Sequence, residues 1–268
     1  MPSSEAEREQ WLNQAASLFV SNWSPPRQSD GLTDEFCPAT MADAYRVQDR
    51  AVAFSGQRTG GWKLAITDAA AQLRSGISEP ITGRLLADGF LPSAASVEAS
   101  AFPNGRVVME CEVGVRMART VRADGRRCDE ALIDGAIDAV FVCIELPALR
   151  FRDMKTISAS TFAADNAGAY RVVVGCDVSV SHLSELEGVE VCVEINEKLV
   201  ATCRVGDLTS TPGRALSWLV PHLEQRGEHL RSGDVVLTGA LTGVHPLAVG
   251  DRVVAEVGNL GRVEIVVV

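Results

Sequence analysis

The sequence predicts an α+β protein in which a helical N-terminal part, residues 1–60, precedes a mixed β-roll or sandwich core, residues 61–268. Apolar residues recur at helical spacing in the N-terminal part, whereas short runs rich in Val and Ile dominate the remainder. These runs outnumber the later helical segments and do not alternate strictly with them, which disfavours a doubly wound parallel sheet. The length of 268 residues, with 46% hydrophobic and 22% charged residues, fits one globular structural unit.

Two helices are predicted in the N-terminal part. The first runs from residue 5 to about residue 20, and its apolar side chains return every three or four positions. A proline-containing loop follows, and a second helix is expected from residue 38 or 40 to residue 55. The pair Gly60–Gly61 then ends the helical pattern.

The core is predicted to contain mostly strands. They are bounded by Gly, Asp, Pro or Asn and cover residues 62–67, 106–115, 139–146, 169–174, 189–195, 235–237, 252–257 and 262–268. Three further helices are expected at about residues 68–76, 129–138 and 213–226.

Charge and composition narrow the classes of partner. The net charge is -10, so a nucleic-acid partner is not expected, and an anionic substrate would need concentrated local positive charge. Seven cysteines, an odd number without a CxxC pair, indicate neither a disulfide framework nor a structural zinc site. The first residues do not resemble a signal peptide and no run is long enough to span a membrane, so we expect a cytoplasmic protein without a membrane partner.

The strand predicted around residues 106–115 carries two glutamates among apolar residues. Because side chains alternate along a strand, Val107, Met109, Cys111, Val113 and Val115 share one face. Glu110 and Glu112 share the other, roughly 7 Å apart. Two neighbouring like charges in an apolar strand need compensation, which a hard divalent cation provides. A solvated strand face explains the same pattern, and Glu-x-Glu alone does not decide between them.

Glu145 is a third candidate ligand. It ends the apolar run 139–146, where an unpaired glutamate is rarely buried. Three carboxylates leave about three of six octahedral positions for water and substrate oxygens, an arrangement that suits Mg²⁺ or Mn²⁺. With Glu145 included, residue patterns alone leave metal binding and the solvated-face reading evenly balanced.

Other segments have both a functional and a structural reading. Lys63 is either a surface lysine at a strand end or a lysine beside the metal, its pKa lowered by that charge. Asp165 and Asn166 are typical of a turn or a helix cap. The Gly-rich segment 237–243, with Thr238 and Gly239, is either an ordinary turn or a carboxylate-binding backbone. His222 and His229 are expected at the surface of one helix and its end.

Taken in order, these segments resemble the fumarylacetoacetase superfamily, in particular its hydratase/decarboxylase branch. The resemblance runs from about residue 40 to the C-terminus. It rests on Gly61-Trp-Lys-Leu, Glu110-Cys-Glu112, Glu145 after its apolar run, Ala164-Asp-Asn-Ala167, and residues 233–240 with Gly250-Asp251 and Leu260-Gly261. It implies a β-roll core of the fumarylacetoacetase C-terminal type and a homo-oligomer.

The resemblance also implies a function. Glu110, Glu112 and Glu145 would hold Mg²⁺ or Mn²⁺, and Lys63 and Asp165 would be catalytic. Arg84, Thr161, Thr238 and Gly239 would contact substrate, Arg84 as a second cation beside Lys63. The expected activity is that of a lyase, a 2-keto-4-pentenoate hydratase-like enzyme for a small 2-oxo or 2-hydroxydienoic acid in aromatic-compound degradation. The alternatives are a 4-oxalocrotonate-type decarboxylase, an acylpyruvate C–C hydrolase and a catalytically altered paralogue.

Four positions depart from the pattern of this branch. Ile81 stands in a stretch that often carries Asp, and Thr161 stands where an Asp often precedes the Ala-Asp-Asn segment. Cys203 and Thr211 stand where Gly-x-Gly and His-Pro are common. The metal ligands are therefore expected to persist while neighbouring acid/base and substrate-contacting positions have changed.

Overall fold

The computed structural model describes residues 4–29, 34–123 and 128–268. Within these ranges the helices are α1 (Glu5–Val20), α2 (Met41–Ser55), α3 (Ala69–Arg74), α4 (Glu130–Asp134), α5 (Ala159–Ala164) and α6 (Pro212–Gln225). The strands are β1 (Thr59–Ala65), β2 (Ile81–Leu86), β3 (Phe90–Pro92), β4 (Ala95–Val97), β5 (Val107–Met117), β6 (Ile137–Leu146), β7 (Arg171–Val174), β8 (Glu190–Ile195), β9 (Lys198–Arg204), β10 (Val235–Leu237), β11 (Val244–Leu247), β12 (Arg252–Val257) and β13 (Arg262–Val267).

The two N-terminal helices are confirmed, and local caps explain where they begin. The Ser4 hydroxyl accepts a hydrogen bond from the Glu7 backbone N–H, while the Glu7 carboxylate accepts from the Ser4 N–H, a reciprocal capping box. At the start of α2, Thr40 accepts from the Asp43 N–H, and Gly56 ends the helix in the left-handed conformation.

The strands form two mixed sheets, which confirms the α+β fold class. The larger sheet has the order β2-β1-β10-β5-β6-β7-β3, with β11 paired to β5, and the smaller has the order β4-β13-β12-β8-β9. Parallel pairs such as β1 with β10 occur beside antiparallel pairs such as β5 with β6. The apolar face of β5 lies in the main hydrophobic core with residues of the smaller sheet, as the alternation along this strand predicts.

The structure contains elements that the residue patterns did not reveal. In the sequence of β2, Thr82, Gly83 and Arg84 interrupt the apolar run, and most residues of β9 are exposed. Neither segment therefore has the composition of a buried strand. The helix expected at residues 129–138 is shorter, because Gly135 follows α4 and β6 begins at Ile137. The expectation for His222 was wrong: its ring is half-buried and stacks on Trp218 at 4.5 Å.

The N-terminal helices share a hydrophobic cluster with α5 and the turn that follows it. Leu12, Phe19 and Val47 pack there with Ala163 and Ala167. Whether residues 1–60 act as a unit of their own stays a prediction.

The buried Gln48 adds a polar connection between α2 and the core. Its amide N–H groups donate to the carbonyls of Thr82 and Ala163 at 2.8 and 2.7 Å, and its carbonyl accepts from Arg226 at 3.1 Å. One α2 side chain thus fixes the positions of β2, α5 and α6 relative to each other.

Among the described residues, no helix combines the length and apolar character that crossing a membrane requires.

The larger sheet must curl strongly between β1 and β6. Three strand spacings separate these strands, about 14 Å in a flat sheet. Nevertheless Nζ of Lys63 on β1 lies 2.7 Å from Oε1 of Glu145 on β6. Curling therefore makes one sheet face concave, and side chains from distant strands meet inside it.

Gly114 permits close packing on this concave face. A Cβ built on it would lie 2.1 Å from Cε2 of Phe141, its cross-strand partner. We predict that Gly114→Ala lowers the free energy of unfolding by about 1–3 kcal/mol, because the ring or the strand must shift. Gly213→Ala is the matched control, since the nearest atom to its added Cβ is 3.4 Å away and no loss is expected. Denaturant unfolding measures both variants, and equal midpoints would contradict this packing argument.

Candidate metal centre

Three glutamates converge on the concave face of the larger sheet. Glu110 and Glu145 are direct cross-strand partners on β5 and β6, and Glu112 lies two residues further along the same face of β5. One carboxylate oxygen from each lies within 4.8 Å of the other two. The structure thus brings together the three side chains that the sequence singled out.

Glu112 and Glu145 are fully buried, whereas Glu110 is partly exposed. Oε1 of Glu112 and Oε2 of Glu145 have no hydrogen-bond partner among the described residues. Buried carboxylate oxygens without partners are unfavourable, and divalent cations bind such oxygens directly. This donor set therefore fits Mg²⁺ or Mn²⁺, with the open side at Glu110.

The mutual repulsion of these carboxylates appears in their proton affinity. Burial raises the pKa of Glu110 to about 7, with Lys63 opposing the rise and Glu145 adding to it. Burial, followed by the charges of Glu145 and Glu110, raises the pKa of Glu112 well above its ordinary range. A cation among these oxygens would oppose both shifts, because it stabilises the ionised forms.

The backbone of Gly239 orients Glu112. Its N–H donates to Oε2 of Glu112 at 2.7 Å, so the Gly-rich segment after β10 does bind a carboxylate, one that belongs to the protein. Gly239 has a φ of 113°, and a Cβ there would clash with Thr67. The neighbouring Thr238 is buried, and its hydroxyl donates to the Val113 carbonyl at 3.0 Å.

Lys63 lies beside the glutamates. Its ammonium pairs with Oε1 of Glu145 and donates to the Ala167 carbonyl at 3.1 Å. Burial alone would lower the pKa of Lys63, but the charges of Glu145 and Glu110 outweigh it and raise that pKa above its ordinary value. A bound cation would lower the pKa of Lys63, so its effect would oppose that of the two carboxylate charges. With all three carboxylates ionised, the cluster and the ammonium would carry a net charge of about -2, which again calls for a cation.

The turn after α5 supplies the carbonyl that Lys63 contacts. Asn166 and Ala167 both have positive φ values, 57° and 51°, an uncommon conformation for residues other than glycine. The Asn166 side chain accepts from the Arg84 N–H at 2.6 Å and donates to the Arg84 carbonyl at 2.8 Å. This two-point clamp on β2 holds the turn in its strained shape.

Asp165 lies at the C-cap of α5, buried, with its carboxylate directed toward Trp23 and Arg150. It accepts from Nε1 of Trp23 at 2.9 Å and from Arg150 at 3.2 Å. The Thr161 hydroxyl is hydrogen-bonded to Ser158 at the start of α5. The structure therefore does not bring these two side chains into contact with the three glutamates.

Arg84 lies on the opposite face of the larger sheet. It pairs with Trp62 across β1 and β2, while Lys63 pairs with Gly83, so their side chains leave the sheet in opposite directions. Its guanidinium stacks over the Trp62 ring at 4.4 Å and pairs with Asp49 and Glu228 at 2.7 and 3.0 Å. The Arg84 guanidinium is therefore directed away from Lys63, and the structure does not bring it to the three glutamates as a second cation.

A cavity of about 640 Å³ opens onto Glu110 and Lys63. Its wall includes the β1–α3 connection, the start of β5, the segment after β6, and the loops after β9 and β10. Residue patterns did not single out the apolar wall residues such as Val108, Leu149 and Met154, because nothing distinguishes them from core side chains. Asn166 was noted only with Asp165, and its clamp on β2 depends on a strand pairing that the sequence does not reveal.

A family model and several known proteins match this chain. The family model for the fumarylacetoacetate (FAA) hydrolase C-terminal domain matches residues 75–268. The chain is 25% identical to a 4-oxalocrotonate decarboxylase of Pseudomonas sp. (strain CF600) over 232 residues, 85% of this chain and 86% of that protein. It is 27% identical to a 2-keto-4-pentenoate hydratase of Paraburkholderia xenovorans (strain LB400) over 236 residues, 87% and 86% of the two proteins.

A solved structure is also similar over nearly the whole chain. The 4-oxalocrotonate decarboxylase from Pseudomonas putida G7, complexed with magnesium and adipate, superposes with a TM-score of 0.88. The match covers 97% of this chain and 98% of that one at 26% identity. The family match, the shared fold and the conjunction of three glutamates with a lysine lead to one conclusion: the chain belongs to the fumarylacetoacetate hydrolase C-terminal family.

Proposed function

We propose that this protein is a Mg²⁺- or Mn²⁺-dependent lyase for a small 2-oxo or 2-hydroxydienoic acid, with hydration as its reaction. The observation that carries the proposal is the convergence of Glu110, Glu112, Glu145 and Lys63 at the end of one cavity. An acidic site of this kind repels an organic acid unless a cation bridges the two.

The comparisons support this class of reaction. The relatives reported above include both a hydratase and decarboxylases, and one similar decarboxylase structure contains magnesium with adipate, a carboxylic acid. These names also support a place in the breakdown of aromatic compounds. Because they divide between two reactions at about 27% identity or less, 4-oxalocrotonate-type decarboxylation is the first alternative.

The proposed chemistry follows from charge. A bound divalent cation would supply Lewis acidity to the carboxylate and the adjacent 2-oxo oxygen, where negative charge develops during enolisation. Glu110, Glu112 and Glu145 would hold it, with Gly239 fixing the orientation of Glu112. The Lys63 ammonium would hold the substrate carboxylate or donate a proton to a carbon atom of the enolate. Its contacts with the Ala167 carbonyl and Glu145 hold the ammonium in position.

The remaining predicted site residues would act through others. Asp165 would position the turn whose Ala167 carbonyl contacts Lys63, because Trp23 and Arg150 hold its carboxylate. Thr161 would serve the start of α5, and Thr238 would fix the segment that carries Gly239. Arg84 would contribute its backbone to the Asn166 clamp. Homo-oligomerisation remains part of the proposal and rests on the family resemblance.

Two other functions rank lower. An acylpyruvate C–C hydrolase of this superfamily uses a histidine–glutamate pair to activate water, and the first histidine of this chain is His182, far beyond Lys63 in sequence. A catalytically altered paralogue would keep the metal centre without turnover, and the changes at Ile81 and Thr161 are compatible with it.

Metal binding can be tested independently of turnover. We predict that Mg²⁺ at about 100 times its dissociation constant stabilises the wild-type protein by about 2.7 kcal/mol, seen as a higher melting temperature. Glu112→Gln should lose this response and should stabilise the metal-free protein, because it removes one of three crowded charges. Glu190→Gln on β8, an exposed position outside the centre, is the matched control and should respond like wild type. An unchanged response of Glu112→Gln would contradict the assignment of the ligands.

The role of Lys63 has a separate test. We predict that Lys63→Ala lowers kcat by about 10²- to 10⁴-fold, the usual contribution of a general acid or base, while Mg²⁺ still raises the melting temperature. Lys198→Ala, at an exposed position on β9, should leave kcat unchanged.

Chelation should abolish turnover of the wild type and Mg²⁺ or Mn²⁺ should restore it. Turnover that survives chelation would rule out the metal-dependent mechanism.

The products distinguish the reactions. With metal present, we predict that 2-hydroxydienoates lose their ultraviolet absorbance without releasing CO₂, because water adds to the conjugated chain. Release of CO₂ from 2-oxo dicarboxylates, with no reaction of the monocarboxylic dienoates, would favour the decarboxylase. No turnover of either panel by metal-bound protein would favour the altered paralogue.

A further inference from the structure

The cavity is larger than the head group of a 2-oxo acid requires. Its volume of about 640 Å³ lies within the range of pockets that enclose drug-sized ligands. Glu110 and Lys63 are among its lining residues, and a carboxylate with its 2-oxo group would fill only the part beside them. The rest of the cavity must therefore receive whatever follows the head group in the substrate.

One wall of this remaining space continues directly from the metal centre. Val108 precedes Glu110 on the same face of β5, and Val244 on β11 is the direct cross-strand partner of Glu110. A substrate held at Glu110 would thus extend along two valines. No polar side chain intervenes on this face between Glu110 and Val108, since alternate residues of β5 share it.

Three further apolar side chains line the cavity. Leu149 follows β6, Met154 lies in the segment before α5, and Phe162 is on α5. Met154 and Phe162 pack on their far sides against the hydrophobic cluster of the N-terminal helices. This support fixes them in place and leaves their near sides facing the cavity.

The mouth of the cavity exposes apolar surface. Leu208, in the loop after β9, is 55% exposed, and Val244 is 56% exposed. Apolar groups gathered at the opening of an apolar cavity gain free energy when a ligand removes them from water. The wall and the mouth therefore favour the same kind of occupant.

The charges around this space do not favour an anion. Besides Lys63 and Glu110, the charged residues among the described lining are Asp68 and Arg74, at the two ends of the short helix α3. The Asp68 carboxylate accepts from the Ala71 N–H at 2.7 Å, and the Arg74 side chain is exposed. The two charges sum to zero, so the lining beyond Lys63 and Glu110 carries no net positive charge for a second carboxylate.

We infer that the acid bound here carries an uncharged, apolar chain or ring beyond its metal-binding head, rather than a short vinyl group or a second carboxylate. This inference rests on the proposed function, because it assigns the head group to the metal centre. It adds a specificity site formed by Val108, Val244, Leu149, Met154, Phe162 and Leu208.

Saturated 2-oxo acids provide non-reacting probes for this site. Their dissociation constants can be measured calorimetrically on the full chain with Mg²⁺, using 2-oxobutanoate, 2-oxohexanoate, 2-oxooctanoate and 2-oxoadipate. Each added methylene should tighten binding by about threefold to fourfold while the cavity still has room. 2-Oxoadipate, which matches 2-oxohexanoate in chain length but ends in a carboxylate, should bind at least tenfold more weakly than it.

Two surface variants connect this preference to the cavity. Leu208→Ser should reduce the advantage of 2-oxooctanoate over 2-oxobutanoate by at least threefold, with little effect on 2-oxobutanoate itself. Leu199→Ser is the matched control, because Leu199 on β9 has nearly the same exposure, 53%, and does not line the cavity. It should leave the series unchanged.

The outcomes separate the two levels of the argument. If none of the acids, 2-oxobutanoate included, binds in a metal-dependent way, the proposed function fails. If all bind with metal but affinity is independent of chain length, or 2-oxoadipate binds most tightly, only the apolar specificity site is refuted. A Leu208→Ser variant that changes the particle mass in light scattering, with no change in chain-length preference, would assign the apolar mouth to an interface between copies and overturn the inference.

Discussion

The repulsion among three carboxylates is the constraint around which this structure is arranged. Glu110, Glu112 and Glu145 lie within reach of one cation, two of them fully removed from solvent. Like charges at such spacing in a medium of low polarity oppose folding unless something compensates them. The protein itself supplies one ammonium, from Lys63, and one backbone N–H, from Gly239. Both contacts leave oxygen atoms of the cluster without partners, so the protein folds toward a state that a cation completes.

Holding these charges together requires support from far along the chain. The Lys63 ammonium depends on the Ala167 carbonyl, and that carbonyl depends on a turn with two successive residues at positive φ. Three side chains keep the turn in place: Asn166 through β2, and Trp23 and Arg150 through Asp165. Trp23 comes from the N-terminal part of the chain, so this part contributes to the geometry of the site without contacting the glutamates.

The sequence predicted those parts of the site that depend on local periodicity. Alternation along β5 assigned Glu110 and Glu112 to one face and five apolar residues to the other, and the apolar run of β6 isolated Glu145. Lys63 required the family resemblance, since only the curl of the sheet brings it to Glu145. The direction of Arg84 was beyond prediction for a specific reason: its face is set by pairing with Trp62, and β2 does not have the composition of a strand. The same holds for Asn166, whose partner is a backbone segment 82 residues away.

The backbone and the side chain of Arg84 have separate roles. Asn166 recognises only the peptide groups of Arg84, while the guanidinium serves the stack on Trp62 and the ion pairs with Asp49 and Glu228. Changes to that side chain are therefore compatible with an intact clamp, provided that the strand keeps its path. Replacing the Arg84 side chain would therefore alter the stack on Trp62 and the ion pairs, and with them stability, while the peptide contacts that hold the turn beside Lys63 stay in place.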